Sequence, residues 1–387
     1  MKKKINYKTP YVKLYNEEKV LPVKQNLKNF KDFLSKREYL YQCLGVPLSF
    51  LNEKSILEFG PGGGFNATAS SYYKTKLYTF VDATKQSLEL VKNKIKKKKI
   101  KSQNYKIIEK NIFELNSRNK ILKKNYYDLV IAEGLINAQI KPAKMTKIIS
   151  GFVRNKGVLI VTSNNAASML SEYCRKILAL KIRLEDKNFN KKKFFKKMCK
   201  LFSPHLKTLG TQTRPVEDWV TDNIIQHIKF GKYKFDLEDY LKVIGKSFVF
   251  YGSSPNFYSD YLWYKKFNYK KNHVNLKALK QYKMTQINLI DCRIEPITVN
   301  FKNYNFNELY KTAQNMLDNN NIKQLDKFLQ NLSKLKYKLP SQFELTKKSI
   351  NEYLDLINNY QKIKTSKYFK SWWGRGQQYL SFIKLNN

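Results

Sequence analysis

Ser55-Ile56-Leu57-Glu58-Phe59-Gly60-Pro61-Gly62-Gly63-Gly64 reads as a short buried strand running straight into a glycine-rich turn. Ile56, Leu57 and Phe59 supply the apolar strand. Gly60, Gly62, Gly63 and Gly64 allow positive φ and let a ligand approach the backbone closely. Glu58 is out of place for a phosphate cradle, which wants cationic or neutral surroundings. A carboxylate just before such a turn, at the carboxyl end of a parallel strand, stands where open α/β sheets bind ligands, and it argues for one carrying a positive charge or an amine.

Further strands follow at regular intervals. Residues 77–81 form the second, ending at Asp82 with Ala83 beyond it, roughly twenty residues after the turn, where an acid can accept hydrogen bonds from ribose hydroxyls. Residues 105–109 form a third strand, followed by the polar Asn111 and the apolar Ile112. Residues 127–132 form a fourth, closed by Glu133 and Gly134, and residues 157–162 a fifth. Helical segments between most of them imply an α/β fold with a doubly wound, mostly parallel sheet.

These stretches resemble the class I S-adenosylmethionine-dependent methyltransferases. The matching residues are Glu58-Phe59-Gly60-Pro61-Gly62-Gly63-Gly64, Val81-Asp82 and Tyr127-Asp128-Leu129-Val130-Ile131-Ala132-Glu133. The resemblance implies a seven-stranded Rossmann-like sheet ending in an antiparallel hairpin, with S-adenosyl-L-methionine as cofactor. It also implies that Phe59, Gly60, Pro61, Gly62 and Gly64 lie along the methionine part, with Glu58 facing its amino group or a water bound there. Asp82 would hold the ribose, with Ala83 also among the cofactor-binding residues, Asn111 and Ile112 would flank adenine, and Glu133 would face the reacting end. The competing reading, a dinucleotide fold, would want G-x-G-x-x-G opening directly into a helix, and Pro61 with three consecutive glycines departs from that spacing.

Around this core the pattern changes. Leu27, Phe30, Phe33, Leu34, Tyr41 and Leu44 recur at helical spacing before the stop signals Gly45 and Pro47, so residues 1–54 read as an N-terminal helical cap. The methyltransferase core is expected at 55–163 and 246–268, its closing hairpin formed by residues 247–251 and 258–266 about Gly252-Ser253-Ser254-Pro255-Asn256. Residues 164–245 are too long for a simple crossover and carry two helical stripes, one from Leu170 to Leu184 and one around Phe194 and Phe202. They are expected to form a helical lid that holds the acceptor. Residues 274–387 read as a helical C-terminal region.

Composition bounds the class. With 42% hydrophobic residues in 387, the chain can bury a substantial core. Cys43, Cys174, Cys199 and Cys292 are scattered without metal or redox spacing, which fits a reducing compartment. The amino terminus, Met1-Lys2-Lys3-Lys4, has no apolar stretch after it, and no window approaches the length of a membrane span, so a cytoplasmic location is expected. The formal charge of +44 invites a polyanion partner. However, the lysines are spread along the chain and accompany abundant Asn, Ile, Tyr and Phe, residues that share adenine- and thymine-rich codons. A nucleic-acid partner is therefore not favoured.

Methyl transfer asks for alignment of a nucleophile with the methyl group, and for removal of a proton when the acceptor is a hydroxyl. Candidates for that base are His205 in Ser203-Pro204-His205-Leu206, Glu133 at the end of the fourth strand, and Asp222, paired at i, i+4 with Asp218 beside Trp219. His227 and His273 complete the histidines, and none makes a metal signature. Trp372-Trp373-Gly374-Arg375 is either an aromatic anchor or a stacking surface. The fourth strand ends in Glu133-Gly134-Leu135-Ile136, unlike the Asn/Asp-Pro-Pro-aromatic pattern of base-amine methylation, and has no nucleophilic cysteine. The expected reaction is methylation of a small-molecule or glycan-linked acceptor at oxygen. The alternatives are an RNA or protein methyltransferase using the basic surface, and a donor-binding scaffold without activity.

Overall fold

The computed structural model describes residues 27, 29–115, 121–139, 141–210, 215–225, 234–261, 263, 265, 271–298 and 306–386. In chain order its first half comprises α1 Phe30–Cys43, β1 Ser55–Phe59, α2 Ala67–Ser70, β2 Thr75–Asp82, α3 Lys85–Lys96, β3 Ser102–Glu109, β4 Tyr127–Ala132, α4 Pro142–Ser150 and β5 Val153–Ser163. There follow α5 Leu170–Glu185, α6 Lys191–Leu206, α7 Val216–Val220, α8 Leu237–Ile244, β6 Phe248–Ser254 and α9 Lys271–Thr285. The remainder is α10 Phe306–Asp318, α11 Leu325–Lys338, α12 Glu344–Leu356, α13 Tyr368–Ser371 and β7 Gln378–Lys384.

Two compact units divide the chain. The first joins residues 1–164, 230–283 and 378–387 and contains the whole sheet. Its seven strands run in the order β3-β2-β1-β4-β5-β7-β6, parallel through β5 and antiparallel at β5/β7 and β7/β6. All five residues of β1 are buried, as a central strand covered on both faces requires. The strand order reverses between β1 and β4, which makes their carboxyl ends the crevice of the sheet. Helix α1 begins at Asn29, whose side chain accepts from the Asp32 N–H at 3.2 Å, and it stops before Gly45, a residue with φ +73°. Asp236 and Asp239 form a reciprocal capping box that starts α8.

The sheet closes differently from the expectation. The partner of β6 is β7, from Gln378–Lys384, and β7 lies between β5 and β6. Residues 256–261 form no strand, and Tyr261 is 95% exposed. Tyr264 and Lys266 lie outside the described residues. The physical reason is burial: a strand in that place must tolerate apolar cover on both faces. Leu380, Ser381 and Phe382 are fully buried there, whereas 258–266 carries Asp260, Lys265 and Lys266.

The second unit takes residues 165–229 and 284–377, so the expected insertion and the expected C-terminal helices contribute to one body. Tyr173 of α5 meets Tyr310 of α10 edge-on at 5.7 Å. Trp372 is fully buried and donates to the Ile290 carbonyl at 2.9 Å, and Trp373 donates to the Thr208 hydroxyl at 2.9 Å. The tryptophan pair is therefore an anchor within this unit. Between it and Arg375, Gly374 has no room for a side chain, because a Cβ would lie 2.0 Å from the Ser168 carbonyl oxygen. Gly374→Ala is expected to lower stability by about 2 kcal/mol through the backbone shift it forces, measurable as a lower midpoint of chemical denaturation.

Candidate functional site

The site residues of the first unit gather at the carboxyl ends of β1, β2, β3 and β4. After Phe59 the backbone turns left-handed at Gly60, Gly62 and Gly64, with φ of +64°, +55° and +69°. A Cβ on Gly60 would lie 3.3 Å from Leu135 Cδ1, and one on Gly64 would lie 3.1 Å from Val91 Cγ2. Gly63 is not left-handed, but a Cβ there would lie 2.8 Å from the Phe65 ring. The Gly60 N–H donates to the Val81 carbonyl at 2.9 Å, which ties the start of the turn to β2.

Glu58 is 4% exposed, and its Oε2 accepts from the Tyr78 hydroxyl at 2.7 Å. Tyr78 is in turn 2.8 Å from the Ser70 hydroxyl. Burial pushes the Glu58 carboxyl up to about 7, a rise that the Tyr78 hydrogen bond opposes and the nearby Glu133 charge adds to. A carboxyl so placed carries a proton readily when alone and gives it up when a cation arrives beside it.

Asp82 accepts through Oδ1 from the N–H and the hydroxyl of Thr84, both at 2.8 Å, so its carboxylate orientation is fixed from below. Burial pushes it up to about 6, against the Thr84 and Ala83 hydrogen bonds that favour its charged form. Asn111 accepts from the Phe113 N–H at 3.0 Å, and Ile112 is 6% exposed.

Glu133 is held more tightly than its sequence position suggests. Arg37 of α1 grips it with both terminal nitrogens, Nη1 to Oε2 at 3.1 Å and Nη2 to Oε1 at 2.6 Å, while Asn66 Nδ2 donates to Oε2 at 2.8 Å. Both side chains of the ion pair are less than a tenth exposed. Burial alone would depress the Arg37 guanidinium, but Glu133 and the neighbouring Tyr41 and Tyr379 hold it well above its ordinary value. A carboxylate bound on both oxygens by a guanidinium is a poor base, so the geometry moves Glu133 from proton acceptor to structural partner. The following Gly134, at φ +66°, donates to the Thr162 hydroxyl at 2.8 Å.

The remaining expected catalytic residues belong to the second unit. His205 is fully buried, its Nδ1 accepting from Arg175 Nε at 3.2 Å and its ring edge-on to Phe202 and Phe369. Burial and the adjacent Arg175 charge hold it well below the usual imidazole range. In this enclosure the imidazole packs among Arg175, Phe202 and Phe369 of its own unit. Asp218 and Asp222 are half-buried, on α7 and on the wide turn that continues it, Thr221–Ile225. Trp219 is no open platform, being 7% exposed and edge-on to Trp373 at 5.9 Å. His273 is exposed, and His227 lies outside the described residues.

Sequence reading missed Arg37, Asn66, Tyr41 and Tyr78. One signal was available for Arg37: it shares the buried face of α1 with Leu34 and Tyr41 at helical spacing, where a lone cation is anomalous.

Residues 51–229 match the family described as a methyltransferase domain. Similar solved structures include an arsenic(III) S-adenosylmethionine methyltransferase from Chlamydomonas reinhardtii, 22% identical over 29% of this chain and 39% of that one, with a TM-score of 0.26. An S-adenosylmethionine-dependent methyltransferase from Mesorhizobium loti is 12% identical over 35% of this chain and 57% of its own, with a TM-score of 0.28. The [4+2]-cyclase SpnF is 10% identical over 92% of this chain and 81% of its own, with a TM-score of 0.38. The chain thus spans about two fifths to just over half of the first two. No curated protein matches it.

S-adenosyl-L-methionine is the cofactor that the sequence resemblance implies, and the residues present fit it. The left-handed turn presents backbone without side chains at Gly60, Gly62 and Gly64, Glu58 complements a cation, and Asp82 offers acceptors. Among the described residues no helix is long and apolar enough to cross a membrane.

Proposed function

We propose that this chain, whose residues 51–229 match a methyltransferase domain, is a class I S-adenosylmethionine-dependent methyltransferase that transfers a methyl group to a small-molecule or glycan-linked acceptor at oxygen. The observation that carries the donor part is Glu58, a buried carboxyl beside a left-handed glycine turn at the point where the strand order reverses. The sulfonium supplies an electrophilic methyl group. In this reading Gly60, Gly62 and Gly64 line the amino-acid end with bare backbone, together with Phe59 and Pro61. The carboxylate of Glu58 complements its positive charge, Asp82 accepts from ribose hydroxyls with Ala83 beside it, and Asn111 and Ile112 border the adenine.

The acceptor part is supported by the chemistry at the end of β4. Glu133-Gly134-Leu135-Ile136 offers neither the proline-rich amide motif of base-amine methylation nor a thiol, and Arg37 neutralises the carboxylate there. Asp222 is retained as the proposed acceptor-side carboxylate. Asp222→Asn is expected to lower turnover about tenfold with donor affinity unchanged, and steady-state kinetics alongside calorimetry with the donor would check it. Loss of donor affinity would remove Asp222 from that role.

Radiolabelled donor incubated with the protein and a fractionated cell extract tests the whole reading. Label is expected in small molecules or glycan. Label in RNA or protein would replace this reading by the second one, which one observation favours: on α6, Lys191, Lys192, Lys193, Lys196, Lys197 and Lys200 are all exposed and suit a polyanion. Donor binding without label in any fraction would mark an inactive scaffold.

A further inference from the structure

We infer that the outward face of α6 docks on an anionic lipid surface, an interaction that stands apart from the donor reading above. The helix is firmly seated: Asn190 accepts from the Lys193 N–H at 3.0 Å to start it, and Phe194, Met198, Leu201, Phe202 and Leu206 are buried along one side. The opposite side carries Lys192, Lys193, Lys196, Lys197, Lys200 and, just past the end, Lys207, all exposed. Lys192, Lys196 and Lys200 follow one another at i, i+4 and form a single row.

This face is charged against the helix's own stability. Exposed lysines on other helices have an acid one turn away, as Lys36 has Asp32 on α1, Lys92 has Glu89 on α3 and Lys242 has Glu238 on α8. From Lys187 to Lys207 there are eight lysines and no acid. The row therefore repels itself, and Lys191, Lys192 and Lys193 put cations at the end of the helix where its dipole is already positive. Bordering acids are engaged or stand to one side: Glu185 pairs with Lys181, Asp186 accepts from the Asn188 N–H at 3.1 Å, and Glu217 of α7 acts on the Cys199 side. Adenine-rich codons account for lysine in general, but not for a helix that lacks the acids found on its neighbours.

The chemistry of the face favours lipid over nucleic acid. All eight cations in that stretch are lysines, point charges suited to a diffuse layer of headgroups, whereas the arginine fork grips an individual phosphate. They stand on an outward helix face, while single-stranded RNA wants a groove lined with stacking rings. Aromatic side chains share the surroundings. Phe189, just before the helix, is 48% exposed and rests on Phe194 with ring centres 5.6 Å apart. Lys197 Nζ lies 4.8 Å from the centre of the Tyr360 ring, in the turn Tyr360–Lys364, which adds the exposed Lys362 and Lys364. A bilayer takes both kinds of residue at once, cations at its headgroups and rings just beneath them.

Flotation of the full chain with vesicles of phosphatidylcholine, alone or mixed with phosphatidylglycerol, tests the face. Binding is expected to the mixed vesicles only, and to weaken about tenfold as salt is raised from low to physiological strength. The triple variant Lys192→Gln, Lys196→Gln, Lys200→Gln is expected to lose about a hundredfold in affinity for them. Its thermal midpoint should equal or exceed that of the wild type, since the row no longer repels itself. A matched triple at the exposed end of α3, Lys96→Gln, Lys97→Gln, Lys99→Gln, should bind as the wild type does. Phe189→Ser is expected to cost about fivefold through lost insertion.

Equal loss in the two triples would overturn the docking face and leave net charge responsible. Equal binding to both kinds of vesicle, or to neither, would overturn it as well. Tighter binding to polyuridylate than to the mixed vesicles at physiological salt, lost in the α6 triple, would assign the face to nucleic acid instead.

Discussion

Gly60→Val is expected to abolish donor binding while the fold persists. Gly60 sits at φ +64°, a conformation that costs an L-residue about 1–2 kcal/mol and a β-branched one more. Its new side chain would also start 3.3 Å from Leu135 Cδ1, on the face where the turn leaves backbone bare. The turn can relieve that strain only by giving up its shape, since its first N–H is bound to Val81 of the neighbouring strand. Affinity for S-adenosylhomocysteine should fall more than a hundredfold, or about 2.7 kcal/mol. Calorimetry measures the loss and circular dichroism checks that the sheet survives. Unchanged affinity would mean that the donor binds elsewhere.

The second large effect is electrostatic and runs against the usual behaviour of a carboxylate. Glu58 titrates at about 7 in the folded chain and at the ordinary 4.5 when unfolded, so the folded state holds its proton more tightly. The penalty is absent below about pH 4.5, grows as pH rises, and is complete above about pH 7, where it amounts to about 3 kcal/mol. Stability measured by denaturant titration should therefore decline across that window. Asp82, raised to about 6, acts in the same direction. Glu58→Gln should remove the larger part of the decline and be the more stable protein at pH 8. A cationic donor reverses the sign for binding: wild-type affinity should climb with pH over the same range, with proton release on binding near pH 6. A Glu58→Gln chain with the wild-type pH profile would show that burial of this carboxyl is not what shapes the curve.

What could be read in advance follows from how locally each feature is encoded. Strands β1 and β4 were legible to the residue because central parallel strands are runs of Ile, Leu, Val and Phe bounded by turn residues. The glycine turn and Asp82 were legible because chemistry and spacing coincide in one short stretch. The grip of Arg37 on Glu133 was not, since the two are far apart in sequence and Arg37 is one of 74 basic residues. The closing strand was misplaced because the aromatic run after Pro255 resembles a strand as strongly as Gln378–Lys384 does. Only the need for burial on both faces separates them. The enclosure of His205 by Arg175, Phe202 and Phe369 was not legible, since those partners come from separate stretches of the chain.

The position of β7 has a consequence for how the polypeptide is made. As the chain leaves the ribosome, β5 and β6 emerge with nothing to zip them together, and each offers a raw row of amides and carbonyls to any neighbour. Until translation delivers Gln378–Lys384, the nascent sheet stays open on that side, and stalled or prematurely terminated products are the forms that chaperones must shelter.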